Sequence, residues 1–191
     1  MSSSTHPPHP LHPPHPAAPL RVATLTLSDT RTPDDDDGGR LLGDLLRAAG
    51  FAVVSHAILR EEPALLAETI ARLCDEGTAD AIVLTGGTGI APRDRTIEAL
   101  TPLLEKTIDG FGEAFRRLSW DQIGPNAILS RALAGVVRGR IVVALPGSPK
   151  ALDLAVTRIL APVLPHAVAL ASGRGGHHHH GDKAARTEPR G

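Results

Sequence analysis

Apolar residues along the chain follow two rhythms, and the switches between them mark out the elements. Arg21–Leu27 is a short apolar-rich run closing on the turn-prone Ser28 and Asp29, the pattern of a buried strand. From Gly38 to Ala49 the spacing changes to three and four, with Leu41, Leu42, Leu45 and Leu46 on one stripe and Gly50 as a stop, which predicts a helix. Ala52–Leu59 alternates as a second strand, and Pro63 opens a helix whose Leu65, Leu66, Thr69, Ile70 and Leu73 face inward. Asp80 leads into the strand Ala81–Leu84, which runs into a glycine loop. Helices are expected near Thr96–Leu104 and Phe111–Leu118, a strand over Ile141–Leu145, and a closing helix over Lys150–Ala171 interrupted by Pro162 and Pro165. Alternation of this kind predicts a single α/β domain, a three-layer αβα sandwich with a largely parallel sheet.

The pattern stops at both ends. Residues 1–19 hold seven of the 17 prolines, four histidines and no charged side chain, so they can neither continue a helix nor bury a core. Residues 172–191 carry five glycines and the run His177–His180, again without apolar periodicity. The expected organisation is a disordered Pro/His-rich tail over 1–19, a domain over 20–171 and a disordered Gly/His-rich tail over 172–191. The histidine tracts read as solvated segments that pick up stray metal, with metal storage or delivery as the alternative.

Composition narrows the function classes. Hydrophobic residues make up 41% of the 191 positions, enough for a core. Twenty basic against 21 acidic side chains leave a formal charge of −1, so no global field gathers a polyanion. Aromatic residues are only 2%, with no tyrosine and Trp120 as the sole tryptophan, which argues against a base-stacking platform and against nucleic acid as a partner. The single cysteine, Cys74, excludes an internal disulfide and a four-thiolate metal site. No apolar run approaches a membrane span of about 20 residues, and the N-terminus lacks a signal-peptide pattern. A soluble cytoplasmic protein with no membrane partner is expected.

Chemistry concentrates at strand ends. Thr85-Gly86-Gly87-Thr88-Gly89 directly follows an apolar strand, where glycines let backbone N–H groups approach an oxyanion and threonine hydroxyls add donors. It is not a Walker loop, because no Gly-Lys-Ser/Thr follows, and the dinucleotide-binding Gly-x-Gly-x-x-Gly is absent from the chain. Pro92-Arg93-Asp94 sets a cation and a carboxylate beside the inferred phosphate, a pair able to orient magnesium. Leu145-Pro146-Gly147-Ser148-Pro149-Lys150 is a second strand-to-helix turn with a hydroxyl and a lysine. The acidic run Asp34–Asp37 reads as a solvated loop end, with Asp37 also able to line a site opened by Ser28 and Asp29.

Taken in order, Ser28-Asp29, Asp37 with Gly39, the run Asp80–Ala99, Gly110-Phe111-Gly112-Glu113, Ile128–Ala132 with Gly135, and Leu145–Pro149 resemble the MogA and MoaB proteins of molybdenum cofactor biosynthesis. The resemblance spans residues 21–171, and the stretch Leu118–Gly124 leans towards the MoaB branch. It implies an αβα domain assembled as a homotrimer or hexamer, acting as a molybdopterin adenylyltransferase. ATP and molybdopterin would give adenylylated molybdopterin and pyrophosphate with Mg²⁺, and other pathway proteins are possible partners. By resemblance Gly86, Gly87, Thr88 and Gly89 take phosphates, Asp94 takes magnesium and sets reaction geometry, and Gly147 and Ser148 contact the pterin ligand. Ser28, Asp29 and Asp37 line the same pocket.

Three departures stand out. Where relatives carry Pro-Asp-Asp or Pro-Asp-Glu, this chain has Arg60-Glu61-Glu62, so Glu61 keeps the catalytic carboxylate on a longer arm. Asp-x-Ser-Gly becomes Asp36-Asp37-Gly38-Gly39, and the choice between Asp36 and Asp37 depends on register. Thr-Pro-Glu-Ala becomes Thr96-Ile97-Glu98-Ala99. The alternatives to catalysis are a silent pterin-binding carrier or assembly protein of the same pathway, and a domain of this fold with another nucleotide chemistry.

Overall fold

Four apolar runs form the parallel part of a six-stranded sheet in a computed structural model that describes residues 18–174. Both histidine tracts, and with them nearly all of the expected tails, lie outside the described residues. The elements are β1 (Arg21–Leu27), α1 (Asp37–Ala48), β2 (Ala52–Leu59), α2 (Pro63–Glu76), β3 (Ala81–Thr85), α3 (Thr96–Leu100), β4 (Lys106–Thr107), α4 (Asp109–Ile123), β5 (Leu133–Val137), β6 (Arg140–Leu145), α5 (Pro149–Ala155) and α6 (Ala161–Ala171). Spatial order is β2-β1-β3-β6-β5-β4. The first four strands are parallel, while β5 runs antiparallel to β6, and β4 antiparallel to β5.

Alternation along these strands separates two cores. Val22, Val83, Ile141 and Val143 point to the face covered by α1, α4, α5 and α6, where Leu42, Leu46, Phe115, Leu152 and Leu164 meet them. Leu25, Ile82, Leu84 and Val142 point to the face covered by α2 and α3, against Leu66, Ile70 and Leu100. The result is the three-layer αβα arrangement of a single α/β domain. At the amino end of the sheet, buried Asp80 accepts from the Arg21 N–H (3.0 Å) and guanidinium (3.0 Å) and from the Arg174 guanidinium (3.4 Å). The two ends of the described chain are thereby tied to one carboxylate.

The structure differs from the sequence reading in three places. Strands β4 and β5 were not anticipated: β4 is two exposed residues, and β5 carries Gly135 at its centre. That glycine is required by a close approach, because a Cβ there would lie 2.5 Å from the Lys106 carbonyl and 2.8 Å from Leu104. The helix expected over Thr96–Leu104 is α3 followed by a 3₁₀ turn, Thr101–Leu103, and α4 runs past Leu118 to Ile123. Pro162 and Pro165 do not interrupt the last helix. A π-helical turn, Val156–Leu160, carries the backbone to Pro162 at the start of α6, where a missing donor costs least, and Pro165 is accommodated inside α6.

Pro149–Ala171 is in consequence 23 residues of continuous helix, long and apolar enough to cross a membrane. It is nevertheless a core helix here, with Leu152, Val156, Leu160, Leu164 and Val168 buried against the sheet.

Candidate functional site

In an open α/β sheet a crevice forms outside the strand carboxyl ends where successive connections leave in opposite directions. Here that point lies between β1 and β3. A cleft of about 730 Å³ opens there, lined by the residues that follow β1, β2, β3 and β6. Ser28 and Asp29 come from the end of β1, Glu61 from β2, Gly86, Gly87, Thr88, Gly89, Arg93 and Asp94 from β3, and Gly147, Ser148 and Lys150 from β6. Ten of the eleven anticipated site residues are brought together. The exception is Asp37.

The glycine loop is held from behind. The Thr96 hydroxyl donates to the Gly86 carbonyl (2.9 Å), and the Thr96 N–H donates to the Gly87 carbonyl (3.0 Å). Gly86 and Gly87 have φ of +99° and +60°, a region that L side chains avoid. A Cβ on Gly87 would also meet Thr96 Oγ1 and would lie 3.0 Å from Glu61 Oε2. The backbone is therefore the surface this loop offers to a ligand.

Three carboxylates, Asp29, Glu61 and Asp94, share the cleft. Asp29 Oδ1 accepts the Glu61 N–H (3.1 Å) and joins the β1 and β2 loops, while Asp94 Oδ2 accepts the Ala91 N–H (2.8 Å) and closes its own turn. Glu61 Oε2 is buried with no hydrogen-bond partner. Burial, reinforced by the Asp94 and Asp29 charges, pushes the Glu61 carboxyl above its ordinary value, against the smaller opposing effects of the Arg93 charge and the Arg95 backbone N–H.

Among the described residues no group of three or more His, Cys, Asp or Glu side chains forms a metal cage. Magnesium does not ask for one, since it commonly takes one or two carboxylates and completes its shell with phosphate oxygens and water. The unpartnered Glu61 oxygen next to Asp94 fits such a cation.

Asp37 is the first residue of α1, exposed and paired with Arg40. It borders a neighbouring pocket that shares Ser28, Gly86 and Gly147 with the cleft, but it does not reach the cleft itself. The buried acid is Asp36. Its carboxylate caps α1 by accepting the Gly39 N–H (2.9 Å), accepts the Thr26 hydroxyl (2.9 Å) and pairs with His56 Nε2 (2.8 Å). Burial alone opposes its charge, yet these three partners outweigh burial and hold the Asp36 carboxyl below the usual range.

Comparison with known proteins gives this cleft its setting. Residues 23–166 match the family model described as a probable molybdopterin binding domain, which is most of the folded chain. The chain belongs to the MoaB/MogA family. Molybdenum cofactor biosynthesis protein B of Bacillus subtilis is 43% identical over 150 residues, covering 78% of this chain and 88% of that protein. The protein of the same name from Halalkalibacterium halodurans is 46% identical over 148 residues, covering 77% and 87%. A crystal structure of a molybdenum cofactor biosynthesis protein B superposes with a TM-score of 0.77 at 38% identity, covering 80% of this chain and 96% of that one. The tungsten cofactor synthesizing protein MoaB from Pyrococcus furiosus gives 0.73 at 31%, covering 82% and 99%.

One wall of this MoaB/MogA cleft escaped the sequence reading. Phe115, Ser119, Gln122 and Asn126, with Leu129 and Ser130 beyond them, line it from α4 and the 3₁₀ segment Gly124–Leu129. Phe115, Ser119 and Gln122 are spaced by four and three, a stripe on α4, and Asn126 joins them from the 3₁₀ segment beyond Gly124. The helix expected over Phe111–Leu118 stopped short of Ser119, Gln122 and Asn126.

Proposed function

We propose that the chain transfers an adenylyl group from ATP to the terminal phosphate of molybdopterin, with magnesium. A phosphate monoester has its second pKa near about 6 and is mostly a dianion at neutral pH, so the nucleophile needs no general base. One of its oxygens forms a bond to the α-phosphorus of ATP, the bridging bond between the α- and β-phosphates breaks, and pyrophosphate leaves. The obstacle is charge, because an anion must approach a polyanion.

The residues of the cleft answer that obstacle. Backbone N–H groups of Gly87–Gly89 receive phosphate oxygens, the Gly86 N–H being donated to the Leu145 carbonyl (3.2 Å), and Arg93 and Lys150 neutralise charge. Ser148 stands at the start of α5 without capping it through its side chain, which leaves its hydroxyl for the pterin ligand. Magnesium, held by Asp94 and Glu61, would supply further neutralisation and orient the phosphates. A site of this kind works by positioning and electrostatics, which agrees with a cleft that carries no nucleophile–base pair. The reading also places the protein in the cytoplasm, where ATP is available, and in a homotrimer or hexamer.

The observation that carries this reading is the unpartnered, buried Glu61 oxygen beside Asp94, facing the glycine loop. The test is direct: purified protein with ATP, Mg²⁺ and molybdopterin releases pyrophosphate, and omission of any one abolishes release. Tight pterin binding without release supports instead a carrier, the second reading favoured by the longer arm of Glu61.

A further inference from the structure

Arg131 lies in the run Ile128–Ala132 ahead of β5 and has no part in the cleft wall, although Ser130 beside it does. Its side chain is only 29% exposed. Nε donates to the Thr88 carbonyl (3.3 Å) and Nη2 to the Asp94 carbonyl (3.3 Å). The rest of the fork takes both oxygens of Glu98 on α3, with Nη2 at 3.2 Å from Oε2. One planar group thus joins the glycine loop, the turn carrying Asp94, and α3.

That connection is not duplicated by the hydrogen bonds described for the turn. The Asp94 turn closes on itself, through the Asp94 N–H to the Ala91 carbonyl (2.9 Å) and the Ala91 N–H to Asp94 Oδ2 (2.8 Å). These bonds shape the turn but leave its offset from the glycine loop to other groups. The offset is tight, since a Cβ on Gly89 would lie 2.5 Å from Asp94 Oδ2. Thr96 anchors Gly86 and Gly87, whereas Thr88 is the loop residue that Arg131 holds. A guanidinium suits the task because its planar fork serves two carbonyls and a carboxylate at once, which an ammonium point charge does not.

We propose that Arg131 is a positioning residue that sets the distance between Asp94 and the phosphate-binding loop, with Glu98 orienting its guanidinium. Its kinetic consequence rests on the adenylyl-transfer reading, and its structural consequence does not. Displacing a reacting group by about 1 Å typically costs on the order of 10²-fold in rate. An isolated exposed ion pair, by contrast, leaves turnover intact and contributes about 0–1 kcal/mol to stability.

The full chain and its Arg131→Met and Arg131→Lys variants separate these roles. Pyrophosphate release is measured against ATP and Mg²⁺ concentration, and amide hydrogen exchange is followed at Ala91 and in α2. For Arg131→Met the expected result is a kcat lower by about 10²-fold, a KM for ATP changed by less than about threefold, and a higher Mg²⁺ requirement. Ala91 should exchange at least about tenfold faster while the buried amides of α2 keep their rates. Arg131→Lys should recover less than about a tenth of the lost rate, the fork being absent. Unchanged kcat and Mg²⁺ requirement in the folded Met variant overturn the proposal, as does a kcat loss that only tracks the folded fraction. Full rate in the Lys variant overturns it too. If the wild-type chain releases no pyrophosphate, the adenylyl-transfer reading falls and exchange alone decides: faster exchange at Ala91 upholds the positioning role, and unchanged exchange overturns it.

Discussion

Asp94 and Glu61 stand in one cleft under opposite conditions, and single substitutions distinguish them. Asp94 is tied into its turn by the Ala91 N–H, a bond that an asparagine oxygen can keep. Asp94→Asn is therefore expected to stay folded and to bind pterin, while pyrophosphate release falls by about 10²–10³-fold, roughly 2.7–4 kcal/mol of transition-state stabilisation. Release at the wild-type rate from a folded variant would remove Asp94 from the reacting centre.

Glu61 behaves differently because its raised carboxyl makes ionisation costly in the native state. The native form holds its proton above the pH at which the unfolded chain has lost it, so the cost appears as pH rises past the ordinary glutamate value of about 4.3 and persists above the raised one. Without magnesium, Glu61→Gln should melt about 2–4 °C higher than wild type near neutral pH, with the advantage vanishing towards about pH 4. Its activity should drop. Equal melting temperatures at every pH would show that the buried oxygen carries no strain.

At the scale of elements, α1 depends on one acid. Asp36→Ala removes the cap and leaves Thr26 and His56 without their shared partner, so a loss of about 2–3 kcal/mol is expected. Denaturant titration should show a lower midpoint at unchanged slope, and an unshifted midpoint would contradict the network. The sequence reading placed Asp37 in the pocket and left the choice between Asp36 and Asp37 to register, which the start of α1 at Asp37 decides by burying Asp36.

The same physics explains what else was legible. β1, β3 and β6 are buried apolar runs whose limits follow from that burial, and β2, the half-buried edge strand, was legible from its alternation. β4 is two exposed residues that owe their conformation to β5, and β5 packs so closely on β4 that it carries a glycine at its centre, which weakens the strand signal. The closing helix was read as broken at its two prolines, yet Pro162 falls in the first turn of α6 after a π-helical turn and Pro165 is tolerated within α6. Site residues on loops after apolar strands were readable, since glycine, hydroxyl and carboxylate there have few other uses. Gln122 and Asn126 gave less warning, because polar residues on a helix usually face water.

For the molecule as a whole, the surface beside the cleft is unusually apolar. Trp120, Ile123, Ile128 and Leu129, on α4 and the segment after it, are each about half exposed or more, and adjacent apolar side chains of this size mark interaction surfaces. Light scattering at micromolar concentration is expected to give a trimer or a hexamer, and introducing a charge at Ile128 should shift the population towards smaller species. A monomeric wild-type chain would show that this surface serves another purpose.

The carboxylate of Asp80 has a practical consequence for handling the molecule. Because Arg21 and Arg174 both reach it, the first strand begins and the last helix finishes at the same pole of the sheet. The cleft opens at the other pole, about 17 Å away along the five residues of β3. A fusion partner, fluorophore or resin attached directly at Ala18 or at Arg174 therefore emerges on the side remote from the cleft. Protein cut back to residues 18–174 and immobilised through either of these ends should titrate like the same protein free in solution, and a short linker joining them should permit circular permutation with new ends cut elsewhere on the surface.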